Sequence, residues 1–144
     1  MTDDASLRRI LTDYKRIAVV GLSADTSRPS HSVSKYLLEH GFEVIPVNPK
    51  YDAVLGQTCY PDLASIPTPV DIVDVFQRAE RVPPFVDQAI AIGAKVVWMQ
   101  LGIVHEEAAQ KARDAGLEVV MDRCIKIEHA RLFGAVNAGS VDIR

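Results

Sequence analysis

The sequence predicts an α/β domain, with a doubly wound, five-stranded, mostly parallel sheet covered by helices on both faces. Three observations carry this expectation. Short apolar runs alternate with segments of helical periodicity. The runs lack polar alternation, as strands buried on both faces do. Three helical segments end on the same punctuation: HG-F-EV at Gly41, IG-A-KV at Gly93 and AG-L-EV at Gly116. A left-handed helix cap is wanted there, two residues before the next strand, and glycine adopts it without strain.

The elements follow in order. Leu7, Ile10, Leu11 and Tyr14 mark a leading helix within residues 1–15. IAVV (17–20) is the first strand, and a helix from about Ser30 presents Val33, Tyr36, Leu37 and His40 on one face. VIPV (44–47) is the second strand. Residues 48–70 hold four prolines and at most a short helix near 62–64, so this crossover is expected to be rich in loops. IVDVF (72–76) is the third strand. Pro83 and Pro84 suit the first turn of a helix carrying Phe85, Val86, Ala89 and Ile90 inward. VVWM (96–99) is the fourth strand, with Trp98 assigned to the core. Val104, Ala108 and Ala112 share a face of the next helix, and VVM (119–121) is the fifth strand. Residues 134–144 are small and polar and read as a flexible tail, leaving 1–133 as the domain.

Bulk properties narrow the function. A chain of 144 residues fits one domain and at this size buries roughly 70% of its unfolded surface without disulfides or metal. Sixteen basic residues against nineteen acidic ones argue against a nucleic-acid surface, which would show a basic excess. No apolar run approaches the roughly 18 residues of a membrane span, and no cleavable leader is evident. The expectation is a cytoplasmic protein whose partner is a small molecule, not nucleic acid or membrane. A homodimer is compatible with a domain this small, though no sequence feature requires one.

In an open α/β sheet, ligands bind beyond the carboxyl ends of the strands. The first such segment reads GLSADTSRPSHS. Gly21 permits a tight turn and close approach of a ligand to the backbone; Ser23 and Arg28 supply a hydroxyl and a charge. The following helix offers its N-terminal N–H groups and positive dipole end to a phosphate. The G-x-G-x-x-G spacing of a dinucleotide fingerprint is absent. After the second strand, where such folds place a ribose-binding carboxylate, stand Asn48, Pro49 and Lys50. A cation there suits a phosphorylated ribose, whether the 3′-phosphate of coenzyme A (CoA) or the 2′-phosphate of NADP. Arg78 could meet a phosphate or pair with Glu80, while Val75 and Phe76 could pack on a ligand or lie in the core. Gln100 and Gly102 form either a polar lining or a simple turn.

No catalytic constellation is visible. None of His31, His40, His105 and His129 has the context of a general base, and there is no nucleophile elbow or zinc motif. Cys59 and Cys124 are not spaced as metal ligands. The ordinary reading of Cys124 is a buried apolar cysteine. A second reading is a thiol that forms a mixed disulfide with CoA, with Arg123 favouring the thiolate.

Together, GLSADTSRPSHSVSKYLLEHGFEVIPVNPKY, VDIVDVFQRAERVP, AIAIGAKVVWMQLGI and AGLEVVMDRCIKIEH resemble the small stand-alone CoA-binding proteins. That family is similar in turn to the CoA-binding domain of the succinyl-CoA synthetase α subunit. The likeness covers about 17–133 and implies a Rossmann-like fold with CoA as cofactor. By position it implies Gly21, Ser23 and Arg28 at the diphosphate, and Asn48, Pro49 and Lys50 near the 3′-phosphate. Val75, Phe76 and Arg78 would line the middle, and Gln100 and Gly102 the far side. The phosphohistidine loop of the synthetase is absent, so its ligase reaction is not implied. Two departures stand out: Gln77-Arg78 where the family often has Arg-Arg, and Ile125 in place of proline in DRCIKIE. The expected function is non-catalytic binding of CoA or acyl-CoA by a carrier, sensor or regulator. The alternatives are an NADP-type redox protein or sensor, and an acyl-CoA enzyme acting with a partner.

Overall fold

The computed structural model describes residues 2–134. Its main sheet comprises β1 (Arg16–Val20), β2 (Glu43–Val47), β5 (Ile72–Val75), β6 (Val96–Met99) and β7 (Glu118–Val120), in the order β2-β1-β5-β6-β7. All pairings are parallel; Ile17 lies opposite both Val44 and Ile72, and Ile72 opposite Val96. Two short strands, β3 (Ala53–Val54) and β4 (Gln57–Thr58), form a separate hairpin in the proline-rich crossover. The expected Rossmann-like α/β fold is what the chain adopts.

Strand alternation sends side chains to two cores. Ala18, Val20, Val73, Val75, Val97 and Met99 face α3 (Val82–Ala91) and α4 (Glu106–Asp114). Ile17, Val19, Ile72, Val96 and Trp98 face α1 (Asp4–Asp13), α2 (Pro29–Glu39) and α5 (Ile125–His129). Trp98 is fully buried, and its indole N–H donates to the Arg123 carbonyl at 2.8 Å. The predicted glycine caps adopt left-handed φ values of 87° at Gly41, 75° at Gly93 and 92° at Gly116.

Several boundaries differ from expectation. Val104 precedes α4 instead of lying on it, because His105 caps that helix, its Nδ1 accepting the Ala108 N–H at 3.0 Å. Tyr14 and His40 are likewise C-caps. The short helix near 62–64 is one 3₁₀ turn, Leu63–Ser65, capped by Asp62. The helix α5 and the turn after it, Ala130–Gly134, were not expected. Gly134 therefore belongs to structure assigned above to the tail, while residues 135–144 lie outside the described residues.

The strand order positions the site. From β1 the chain moves one way to β2, then returns past β1 to build β5, β6 and β7 on the other side. The loops after β1 and β5 therefore diverge, leaving a crevice between them at their carboxyl ends.

Candidate functional site

At this switch point lies a cleft of about 630 Å³. Its walls come from four loops and helix starts: Pro29 and Val33 of α2; Phe76, Gln77 and Arg78 after β5; Gln100, Leu101 and Ile103 after β6; and Cys124 and Ile127 at α5. Arg78 lines it and is exposed, and Arg28, the N-cap of α2 next to Pro29, is exposed with its guanidinium 4.0 Å from Asp25. The remainder is mostly apolar. Such a cleft suits an elongated ligand with an anionic head and a less polar arm.

The local structure explains each wall. Gly21, at φ 87°, donates its N–H to the Val47 carbonyl at 2.8 Å, while the Phe76 N–H donates to the Val20 carbonyl at 2.9 Å. A β-carbon on Gly21 would sit 2.5 Å from the Phe76 carbonyl oxygen. The close approach that Gly21 permits is thus between the first loop and the end of β5. The Ser23 N–H donates to Ser30 Oγ, and Ser23 Oγ accepts the Asp25 N–H, each at 3.0 Å, which folds the first loop onto the start of α2. Pro29 brings no N–H to that helix end, and the His31 N–H turns back to the Arg28 carbonyl at 3.1 Å. The helix start therefore has fewer donors to offer a phosphate than the sequence suggested.

Gln100 is the most fixed polar group in the cleft. It is 4% exposed, and its Oε1 accepts the Ile125 N–H at 3.2 Å. Proline at position 125 would have no N–H for this bond, so the departure in DRCIKIE sets the orientation of Gln100. The rest of that motif clamps α5. Glu128, nearly buried, accepts from Arg123 and from Arg131, each at 2.8 Å, and Arg131 also pairs with Asp4 of α1. Burial pushes the Glu128 carboxyl up, but hydrogen bonds from Arg131 and Arg123 outweigh it and hold the group below its usual range.

With this geometry, comparison with known proteins is informative. A family model described as a CoA binding domain matches residues 15–130. The chain belongs to that family. It is 46% identical over 126 residues to the uncharacterized protein YneT of Bacillus subtilis, covering 88% of this chain and 93% of YneT. The solved structure of a hypothetical protein from Pyrococcus horikoshii OT3 superposes with a TM-score of 0.90 at 49% identity, covering 92% of this chain and 94% of that one. The acetate–CoA ligase [ADP-forming] I of Archaeoglobus fulgidus is 28% identical over 134 residues, which is 86% of this chain but 19% of the ligase.

In this CoA-binding domain, the expected site residues separate into groups. Phe76, Arg78 and Gln100 line the cleft together. Gly21, Ser23 and Arg28 form the loop beside it. Val75 does not reach the cleft: alternation turns it to the opposite face, fully buried with Val20, Val47 and Met99. The Asn48 carboxamide serves the fold, donating to the Leu22 carbonyl at 3.1 Å and accepting the Lys50 N–H at 3.0 Å. Pro49 and Lys50 are exposed beyond β2, outside the cleft lining. Gly102 takes a φ of 85° in the turn after β6, its N–H held by Asp122 Oδ1 at 2.7 Å, and contributes no wall.

Sequence reasoning missed Pro29, Val33, Leu101, Ile103 and Ile127 as walls of the cleft, and saw Gln77 only as a missing arginine. Leu101 could have been found, because it follows Gln100 just past the end of β6. Cys124 is partly buried and stands on the cleft wall, not deep in the core. The Arg123 guanidinium is taken up by Glu128 and by the Thr2 carbonyl, at 2.8 and 3.2 Å. Cys59 is buried, its thiol donating to the Asn48 carbonyl at 3.3 Å, and burial pushes its pKa up. Among the described residues no group of His, Cys, Asp and Glu is arranged to hold a metal ion, and no helix is long and apolar enough to cross a membrane.

Proposed function

We propose that the switch-point cleft binds coenzyme A, and that the protein acts as a carrier, sensor or regulator of CoA or its esters. The observation that carries this reading is the family match over residues 15–130, which spans the loops that build the cleft. The geometry supports it. The diphosphate lies against the first loop, within reach of Arg28 and Arg78, and the pantetheine arm follows Phe76, Val33 and Ile103 toward Cys124. The make-up of the cleft favours binding over chemistry. Its polar side chains are Gln77, Arg78, Gln100 and Cys124, and none of the four histidines lines it.

Lys50 takes the 3′-phosphate in this arrangement. It is exposed, so one charge-assisted contact contributes about 1 kcal/mol, or roughly fivefold in affinity. The measurement is calorimetric titration with CoA and with dephospho-CoA. Lys50→Ala is expected to weaken CoA about fivefold and leave dephospho-CoA unchanged. Equal loss for both ligands, or no loss for either, removes Lys50 from the site.

A further inference from the structure

A second cleft, of about 770 Å³, adjoins the first and shares Leu101, Cys124 and Ile127 with it. Leu101, Val104 and Ile127 are 63%, 44% and 54% exposed, and they are the large apolar side chains left exposed among the described residues. All three line this second cleft. Exposed apolar surface gathered at one place marks a binding surface, where scattered exposure would not. Free CoA ends in a thiol and leaves such a surface uncovered.

We propose that the site is built for an acyl thioester of CoA, with the acyl chain lying in this second cleft. The proposal rests on the CoA reading above. Two observations choose this occupant. The first is continuity: an arm that leaves the first cleft beside Cys124 meets Leu101 and Ile127, the other two residues common to both clefts. The second is Gln100. Its oxygen is held by the Ile125 N–H, so the group it leaves for the first cleft is its NH₂. A thioester carbonyl next to the sulfur accepts from that donor; a thiol has no such oxygen. The charged groups of the second cleft are mixed in sign, and Arg123 and Glu128 neutralise each other at 2.8 Å. An uncharged acyl chain therefore fits better than one ending in a carboxylate.

The test is calorimetric titration of ligand-free protein with CoA and with its acetyl, butyryl, hexanoyl and octanoyl esters. Half-burial of each methylene in an open cleft is expected to tighten binding by about twofold per carbon. Val104 lines the second cleft alone and is exposed, so the fold tolerates V104D. That variant is expected to flatten the chain-length series while leaving free CoA affinity unchanged. The proposal is overturned if CoA binds but octanoyl-CoA binds no better, or if V104D leaves the series intact. Binding of neither CoA nor any ester would overturn the CoA reading as well, which separates the two failures.

Discussion

Replacing Gly21 with alanine is expected to destabilise the fold by about 3 kcal/mol and to abolish ligand binding. Two independent costs add. A non-glycine residue at φ 87° carries about 1 kcal/mol of backbone strain. The new β-carbon also falls 2.5 Å from the Phe76 carbonyl oxygen and 2.8 Å from Gln77 Nε2. The carbonyl cannot step aside cheaply, because hydrogen bonds to Val20 and Val47 fix both chains at this point. Relief requires moving Phe76 and Gln77, which are walls of the cleft. Gly93→Ala is the control, since Gly93 has a φ of 75° but nothing within 4 Å of its would-be β-carbon. Urea unfolding should place that variant about 1 kcal/mol below the parent protein. A Gly21 variant as mild as the Gly93 one would contradict the packing argument.

The second large effect concerns Asp74, which sits between Val19 and Trp98 in the middle of the sheet. It is fully buried, and neither carboxylate oxygen has a hydrogen-bond partner; Ser34 Oγ, also buried, has none either. Burial alone raises the Asp74 pKa well above the ordinary 3.8. The folded state therefore holds the proton more tightly than the unfolded state. The associated stability is fully present below about pH 3.8 and is lost as pH rises through the folded-state value. Asp74→Asn keeps the shape and removes the titration. Near pH 4 the variant should match the parent protein, and at pH 8 it should be clearly the more stable of the two, because only the parent must then hold a buried charge or take up a proton. Urea unfolding at both pH values checks this. Curves that stay parallel, or a variant that is weaker at pH 8, would show that the carboxylate has partners that stabilise its charge.

Much of this fold was legible because buried parallel strands announce themselves as continuous apolar runs. Even Asp74 did not disguise β5, since Ile72, Val73 and Val75 outweigh it. The hairpin escaped notice because its strands are two residues long and its turn, Leu55 at φ 54° followed by Gly56 at φ 74°, starts on leucine where Asn, Asp or Gly is usual. Helix α5 escaped because five residues do not make a periodic signal. It is held by long-range bonds, the Ile125 N–H donating to Gln100 Oε1 and the Tyr36 hydroxyl meeting His129 Nδ1, and by local ones from Arg123 and Arg131 to Glu128. Of the expected site residues, Phe76, Arg78 and Gln100, each just past a strand end, are the ones the fold gathers on the cleft wall. Of the two places open to Val75, ligand or core, alternation along β5 selects the core, opposite in facing to Phe76. Ile103, Cys124 and Ile127 become neighbours only when the loops after β6 and β7 are brought together, and no local pattern encodes that. The CoA-binding family was legible only through resemblance; the residues alone left NADP open as the ligand.

Whether the cleft holds CoA is decided by thermal unfolding of ligand-free protein with CoA, acetyl-CoA, NAD and NADP. Freedom from CoA retained during expression is checked first by mass. A ligand at a hundred times its dissociation constant adds about 2.7 kcal/mol, a clear shift in midpoint. CoA and acetyl-CoA are expected to raise the midpoint while both nicotinamide nucleotides leave it unchanged. A shift with NADP alone, or with none of the four, would contradict the CoA reading.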